Sequence, residues 1–203
     1  MYIVLLTGGL ASGKDTVSAM LADLGAAVFD LDQIAKEEQE KAPVLAKLKE
    51  AFGEDIVGSN GSLDRRLLAT RAFNDTESSN KLNAICWPPV KQRVSDLVKK
   101  SHKLTEDKKG LLVIQIPLLA EAPDFLEYKD EVISVMAEES LRLKRALARG
   151  MSSADAQRRM KLQASDEERK RISDTIFENN GTIGELRDQV NSWYTTKYES
   201  GLF

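Results

Sequence analysis

The run GGLASGK at residues 8–14 constrains this 203-residue chain more than any other feature. It sits between the apolar, β-branched stretch of Tyr2 to Thr7 and a stretch in which Val17, Met20, Leu21 and Leu24 recur at helical spacing. Two glycines five apart followed directly by a lysine, between a strand and a helix, make a phosphate-binding loop. Glycines let backbone N–H groups turn in around phosphate oxygens, the helix adds its positive N-terminal end, and Lys14 reaches the outer phosphates as a point charge. The strand reads as the centre of a parallel sheet, being too continuous in apolar residues to be half exposed.

Asp15 stands where a loop of this kind carries the hydroxyl that coordinates Mg²⁺. Three readings stay open: the carboxylate holds hydrated metal through water, it points outward from the first helical turn, or it repels the triphosphate and leaves the loop inactive. Thr16 still offers a hydroxyl one position on. No residue is therefore assigned outright as a metal ligand, with Asp15 or Thr16 acting through water as the alternatives.

Gly25 ends the first helix and AAVFD (26–30) reads as a second strand, completing a βαβ unit. From Leu31 to about His102 the pattern is mostly helical, with breaks expected at Pro43, at GSNGS (58–62) and at WPP (87–89). LLVIQIPLL (111–119) is the strongest buried-strand signal, stopped by Pro117 after the polar run KLTEDKKG, and EVISVMA (131–137) is another strand. Helices follow over 138–149, 153–163 and 166–174, then the strand TIFEN and a closing helix from about Thr182. The expected fold is an α/β parallel sheet with two helical insertions.

Several classes fall away. No apolar run approaches the roughly 18 residues of a membrane span, and no secretory leader is visible at the N-terminus, so a cytoplasmic protein is expected. A formal charge of −3 argues against a nucleic-acid binder, although basic residues cluster between Arg142 and Arg171. One cysteine, Cys86, and one histidine, His102, exclude an intrachain disulfide and most zinc sites, and Cys86 in NAICW reads as a buried inert thiol. DIVG (55–58) and NKLN (80–83) look like GTPase motifs but fail, the first by following a helical run and the second by lacking the Asp that reads guanine. Gln115-Ile116-Pro117 replaces the acid that a helicase or transport ATPase would carry after its strand. A small kinase with a substrate insertion and a mobile lid remains.

For such a kinase, Asp30 and Asp32 lie at the carboxyl end of the second strand, where ligands bind in parallel sheets. A carboxylate there can accept the proton of an attacking alcohol, and either can instead serve as a helix cap or first-turn acid. Arg142, Lys144, Arg145 and Arg149 share the helix before Gly150, and most of them read as a solvated basic face. Arg145 and Arg149, four apart on one face, are the candidates for closing over a triphosphate about a hinge at Gly150 and Met151.

The chain resembles the dephospho-CoA kinase family over nearly its whole length and in order: LTGGLASGK, LGAAVFDLDQIA, GSLDRRLL with Phe73, LNAICWP, IPLLAE, LKRALAR, LQAS with Arg169, and the turn ENNG. The resemblance implies a P-loop kinase with a five-stranded parallel core (1–31, 103–137 and 175–203), a helical substrate-binding insertion at about 32–102 and a helical lid at about 138–165. It implies ATP as phosphoryl donor with Mg²⁺, and dephospho-CoA, held by the insertion, as acceptor. It implies Asp32 as general base and Lys14 with the loop residues Gly9, Ala11, Ser12, Gly13, Asp15 and Thr16 as the phosphate cradle. Arg145 and Arg149 become lid cations, and the turn at Asn179 lies near the adenine. Against the family pattern, Asp15 replaces a Ser, Trp87 stands where a His precedes the proline, and the lid is about one residue short at Gly150. Trp87 reads as a core aromatic, with stacking on the substrate base as the alternative. A nucleoside or nucleotide monophosphate kinase is a second reading, and a nucleotide- or CoA-binding module without catalysis a third. A monomer is expected, with oligomers left open.

Overall fold

The computed structural model describes residues 1–104 and 110–203, and the side chain of His102 and most of the run KLTEDKKG lie outside its description. The chain divides into two compact units, one of residues 1–30 with 99–203 and the other of residues 31–98.

In the first unit, β1 (Tyr2–Gly8), β2 (Ala27–Asp30), β3 (Leu111–Gln115), β4 (Glu131–Met136) and β5 (Thr175–Glu178) form a parallel sheet in the order β2-β3-β1-β4-β5. β3 and β4 are buried along their whole length and β1 from Ile3 on, which is why these strands carry continuous apolar runs instead of alternation. Helix α1 (Lys14–Asp23) places Val17, Met20 and Leu21 on the sheet and ends through Gly25, whose φ of 96° only glycine adopts without strain. The closing helix (Ile183–Glu199) contributes Leu186, Val190 and Trp193 to the same core, which Phe203 completes. Register puts Gly8 beside Val135 and Asp30 beside Gln115, so the C-terminal ends of β1, β2, β3 and β4 open at one edge.

The second unit is helical: α2 (Leu31–Gln39), α3 (Ala42–Phe52), α4 (Arg65–Ala72) and most of α5 (Thr76–Leu104). Val44, Leu48, Phe52, Ile56, Leu68, Ala72 and Leu82 form its own core. Pro43 opens α3 in its first turn, where its missing N–H costs nothing. The break expected at 87–89 does not occur, because α5 runs through Pro88 and Pro89. Leu82, Val90 and Val94 lie at eight- and twelve-residue spacing on one buried face, so both halves of the helix are held by packing. Pro88 and Ala84 are exposed, which leaves the carbonyl that Pro88 cannot bond open to water.

The remaining helices of the first unit are α6 (Glu139–Ala148), α7 (Ser153–Leu162), α8 (Asp166–Ile172) and α9 (Ile183–Glu199). The turn between α6 and α7 carries Gly150 at φ 86°, while α8 and α9 each begin with a capping box, Ser165 with Glu168 and Thr182 with Glu185. Among the described residues, no helix is long and apolar enough to cross a membrane.

Candidate active site

The loop after β1 is shaped by close approach. A Cβ on Gly8 would lie 2.5 Å from Ser12 Oγ and 2.7 Å from the Val135 carbonyl oxygen, so no larger residue fits between the loop and β4. Gly13 (φ 105°) and Ala11 (φ 57°) both turn through the left-handed region, and the Ser12 N–H donates to the Gly9 carbonyl at 3.0 Å. Gly13 caps α1 by accepting from the N–H groups of Thr16 (3.0 Å) and Val17 (3.1 Å). The first N–H groups of that helix then point out of its end, toward the mouth of the loop.

Two elements far along the chain brace this loop. Asn179, buried after β5, donates from Nδ2 to the Ser12 carbonyl at 2.7 Å, and a Cβ on Gly13 would collide with it. Gln163, at the end of α7, accepts the Leu10 N–H at 2.8 Å. The Lys14 ammonium, with its side chain only 11% exposed, donates to Gln115 Oε1 and, at 2.9 Å, to Asp15 Oδ1. Gln115 Nε2 donates onward to Ser18 Oγ at 2.5 Å, which locks the amide and aims its oxygen at the lysine. The Asp15 side chain is 75% exposed, so of the three readings the outward one describes its position, with one oxygen on Lys14.

Arg142 is not part of a solvated face: it is 6% exposed, and Arg169 is 3% exposed. Both guanidiniums crowd the loop, since a Cβ on Gly9 would collide with Arg142 Nη1 and come within 3.4 Å of Arg169 Cζ. Asp166 accepts from Arg169 Nη1 at 2.8 Å and sits 3.4 Å from Arg142 Nη2. Burial, and after it the Arg142 charge, holds Arg169 below the usual arginine value against the opposing pull of Asp166 and Glu121. Arg145 is half-buried, its Nη2 donating to Asn179 Oδ1 at 3.4 Å, while Arg149 is exposed at the end of α6.

In the second unit, Asp32 stands in the first turn of α2 and lines a cavity of about 410 Å³ with Lys36, Arg65, Leu68, Phe73 and Leu82. Arg65 is fixed by Gln39 (2.7 Å) and Glu40 (2.6 Å), whereas Phe73 is 68% exposed. Cys86 is half-buried with its thiol pushed up by burial, which agrees with an inert role, and Trp87 is half-buried, short of a full core position. Asp30 ends β2 beside Gln115.

The fold thus brings Lys14, the loop and Asn179 together. Reading by motif missed Gln115, Gln163, Arg142 and the placement of Arg169. A polar residue inside LLVIQIP marks the first, and the spacing 142, 145, 149 places Arg142 on the same helical face as the two arginines singled out. Gln163 and Arg169 carry no local signal of their roles.

The family model described as dephospho-CoA kinase matches residues 2–185. A dephospho-CoA kinase of Corynebacterium jeikeium is 38% identical over 196 residues, covering 96% of this chain and 98% of its own. A solved protein of Thermus thermophilus superposes with a TM-score of 0.80 at 31% identity, covering 96% of this chain and 97% of its own. The dephospho-CoA kinase of Campylobacter jejuni, at a TM-score of 0.66, 21% identity and 96% coverage of each chain, shares the fold.

Proposed function

The chain belongs to the dephospho-CoA kinase family, and on that premise we propose that it transfers the γ-phosphoryl group of ATP to the ribose 3′-hydroxyl of dephospho-CoA, giving coenzyme A and ADP. The observation that carries the donor half is the convergence of Lys14, Arg142 and Arg169 on the glycine loop that leads into α1. Three cations in one cradle suit the three or four charges of a triphosphate. The loop backbone and Lys14 would hold the β- and γ-phosphates, and Lys14 would follow the charge as it moves to the leaving oxygen.

Mg²⁺ fits these residues in a limited way. Among the described residues no cluster of three or more carboxylate, His or Cys side chains exists, and the loop offers Asp15 and Thr16. Mg²⁺ keeps several waters and takes most of its other ligands from substrate phosphates, so one carboxylate through water suffices. When bound, it neutralises charge on the β- and γ-oxygens.

For the acceptor half, the cavity beside Asp32 has apolar walls from Leu68, Phe73 and Leu82, with Gln39 and two cations beside them, a mixed lining suited to a nucleotide with a long amide-bearing tail. Asp32 would accept the 3′-hydroxyl proton as the oxygen attacks phosphorus. Arg145 and Arg149 would add charge from the lid helix and the turn at Asn179 would border the base, as the family resemblance implies.

The test is product formation: coenzyme A from ATP and dephospho-CoA, with nucleoside monophosphates as the competing acceptors. Phosphorylation of a nucleoside monophosphate in place of dephospho-CoA would overturn the assignment. The Asp15 contact on Lys14 adds a second expectation. Asp15→Ser should lower the KM for ATP roughly two- to fivefold, the scale of one exposed charge interaction, because the carboxylate no longer competes for the ammonium. A higher KM would show that Asp15 helps to hold metal, and an unchanged one that its contact on Lys14 does not compete with ATP. Tight ATP binding without turnover, restored by Asp15→Ser, would mark the chain as a nucleotide-binding module.

A further inference from the structure

We propose that Arg142, held in place by Asp166 beside Arg169, is a phosphate-contacting residue of the transfer reaction, taking an oxygen of the donor's outer phosphates at Gly9. The inference rests on the kinase reading above and deepens it.

A buried guanidinium needs acceptors for its donors, because desolvating a charge without partners costs several kcal/mol. Arg142 is poorly served. Its Nε is buried and, among the described residues, has no hydrogen-bond partner, and its Nη2 lies at a long 3.4 to 3.5 Å from the two oxygens of Asp166. Asp166 gives its short contact to Arg169, whose Nη1 lies 2.8 Å from Oδ1, and only the long ones to Arg142. The cavity of about 490 Å³ that borders Arg142 is lined also by Arg169, Lys161 and Gln163 and by the acids Glu139, Asp166, Glu167 and Glu168. Of these acids only Asp166 contacts Arg142, and at long range, so the donors of Arg142 nearest Gly9 remain for an anionic oxygen to fill.

The position is built in. Gln163 ties the end of α7 to the loop through the Leu10 N–H, and Asp166 starts the helix that carries Arg169. Arg142 lies in the first half of α6, next to Gly9, whereas Arg149 is seven residues, about 10 Å of helix, further on. Arg142 therefore reaches the loop from where it stands, and Arg149 reaches a triphosphate only if the hairpin moves. A planar fork that grips two oxygens suits the equatorial oxygens of a transferring phosphoryl group better than an ammonium does.

The experiment compares Arg142→Lys and Arg142→Met with the wild-type chain by calorimetric titration with inorganic tripolyphosphate, by kcat and KM for ATP, and by Tm. Both variants are expected to bind tripolyphosphate about tenfold or more weakly, and kcat/KM for ATP is expected to fall about 10²-fold in the methionine variant. Arg142→Lys keeps a charge in place, so it decides the matter if the methionine variant does not fold. Tripolyphosphate affinity and kcat/KM within about twofold of wild type in a folded variant would overturn the proposal, as would a lowered Tm with unchanged affinity, the mark of a scaffold residue. Because tripolyphosphate binding needs no acceptor, an Arg142-dependent affinity in a protein that makes no coenzyme A would refute the acceptor assignment and leave the clamp standing.

Discussion

Asp32→Asn is expected to lower turnover about 10²-fold or more while leaving the affinity for ATP within about twofold of wild type. The amide matches the carboxylate in size and cannot accept a proton, so the variant isolates the base from the shape of the cavity that Asp32 lines. An attacking alcohol loses its proton as the bond to phosphorus forms, and a nearby carboxylate helps only in the transition state. Such a loss falls on kcat and kcat/KM alike. Donor binding is carried by Lys14 and the loop, which belong to the other compact unit of the chain, so calorimetry with ATP should not register the change. Steady-state kinetics with dephospho-CoA supplies the turnover. Near-normal kcat would remove Asp32 from the chemistry and turn attention to Asp30, two residues earlier at the end of β2.

Glu131→Ala is expected to destabilise the fold by about 3–5 kcal/mol, enough to lower Tm by roughly 10 °C in a chain of this size. Glu131 is 2% exposed and serves as a hub for four side chains from three other elements, β1, β5 and α9. One oxygen accepts from Tyr2 Oη (2.7 Å) and pairs with Lys197 Nζ (2.6 Å), and the other accepts from Thr175 Oγ1 (2.5 Å) and Trp193 Nε1 (2.9 Å). Removing it strands an ammonium, a hydroxyl pair and an indole N–H in a mostly buried setting. The register places Glu131 beside Val4 and Val135 beside Gly8, so the hub lies four residues, about 13 Å of strand, from the phosphate loop. Activity of the folded variant at low temperature should therefore be close to wild type, which separates a stability effect from a catalytic one.

The same hub makes stability depend on pH at both ends. Burial raises the Glu131 carboxyl, but the bonds from Lys197, Thr175, Tyr2 and Trp193 outweigh it and leave the group below its ordinary value of 4.5. A depressed carboxyl contributes its stability in full above that unfolded value, and the contribution is lost as pH falls through the folded one. Burial and the neighbouring carboxylate push the Tyr2 hydroxyl up to about 12 from 10.0, so its contribution is complete below pH 10 and is lost as pH rises from there toward 12. Thermal melts across pH should show both losses in the wild-type chain. Glu131→Ala should flatten the acid loss and shrink the alkaline one only in part, since burial is the larger cause at Tyr2, and an unchanged acid limb in the variant would assign that loss to other groups.

The strand, glycine loop and first helix were legible because everything that forms them lies within residues 2–25, where apolar period, glycine placement and helix termination act locally. The parallel sheet was legible for a similar reason, since strands buried on both faces must carry unbroken apolar runs. Pro88 and Pro89 show where local rules fail: a proline pair in an isolated peptide ends a helix, but Leu82, Val90 and Val94 hold both sides of it against the packing. Asp15 was visible as a departure, and only the folded loop shows its carboxylate turned outward with one oxygen on Lys14.

The arginines of α6 mark the division most clearly. Spacing of 142, 145 and 149 states that three cations share a face, which follows from 3.6 residues per turn and needs no tertiary information. Depth along that face does not follow from spacing. It was decided by the loop at Gly9 and by α8, which hold Arg142 in a buried position and leave Arg149 in solvent. Gln163, Asn179 and the partners of Glu131 belong to the same class, since each contact joins residues separated by more than 40 positions. The sequence by itself determined the sheet, the phosphate loop and the family. Tertiary structure decided which charges are buried beside that loop, because burial and partner choice are set by packing between distant segments, and no local pattern encodes them.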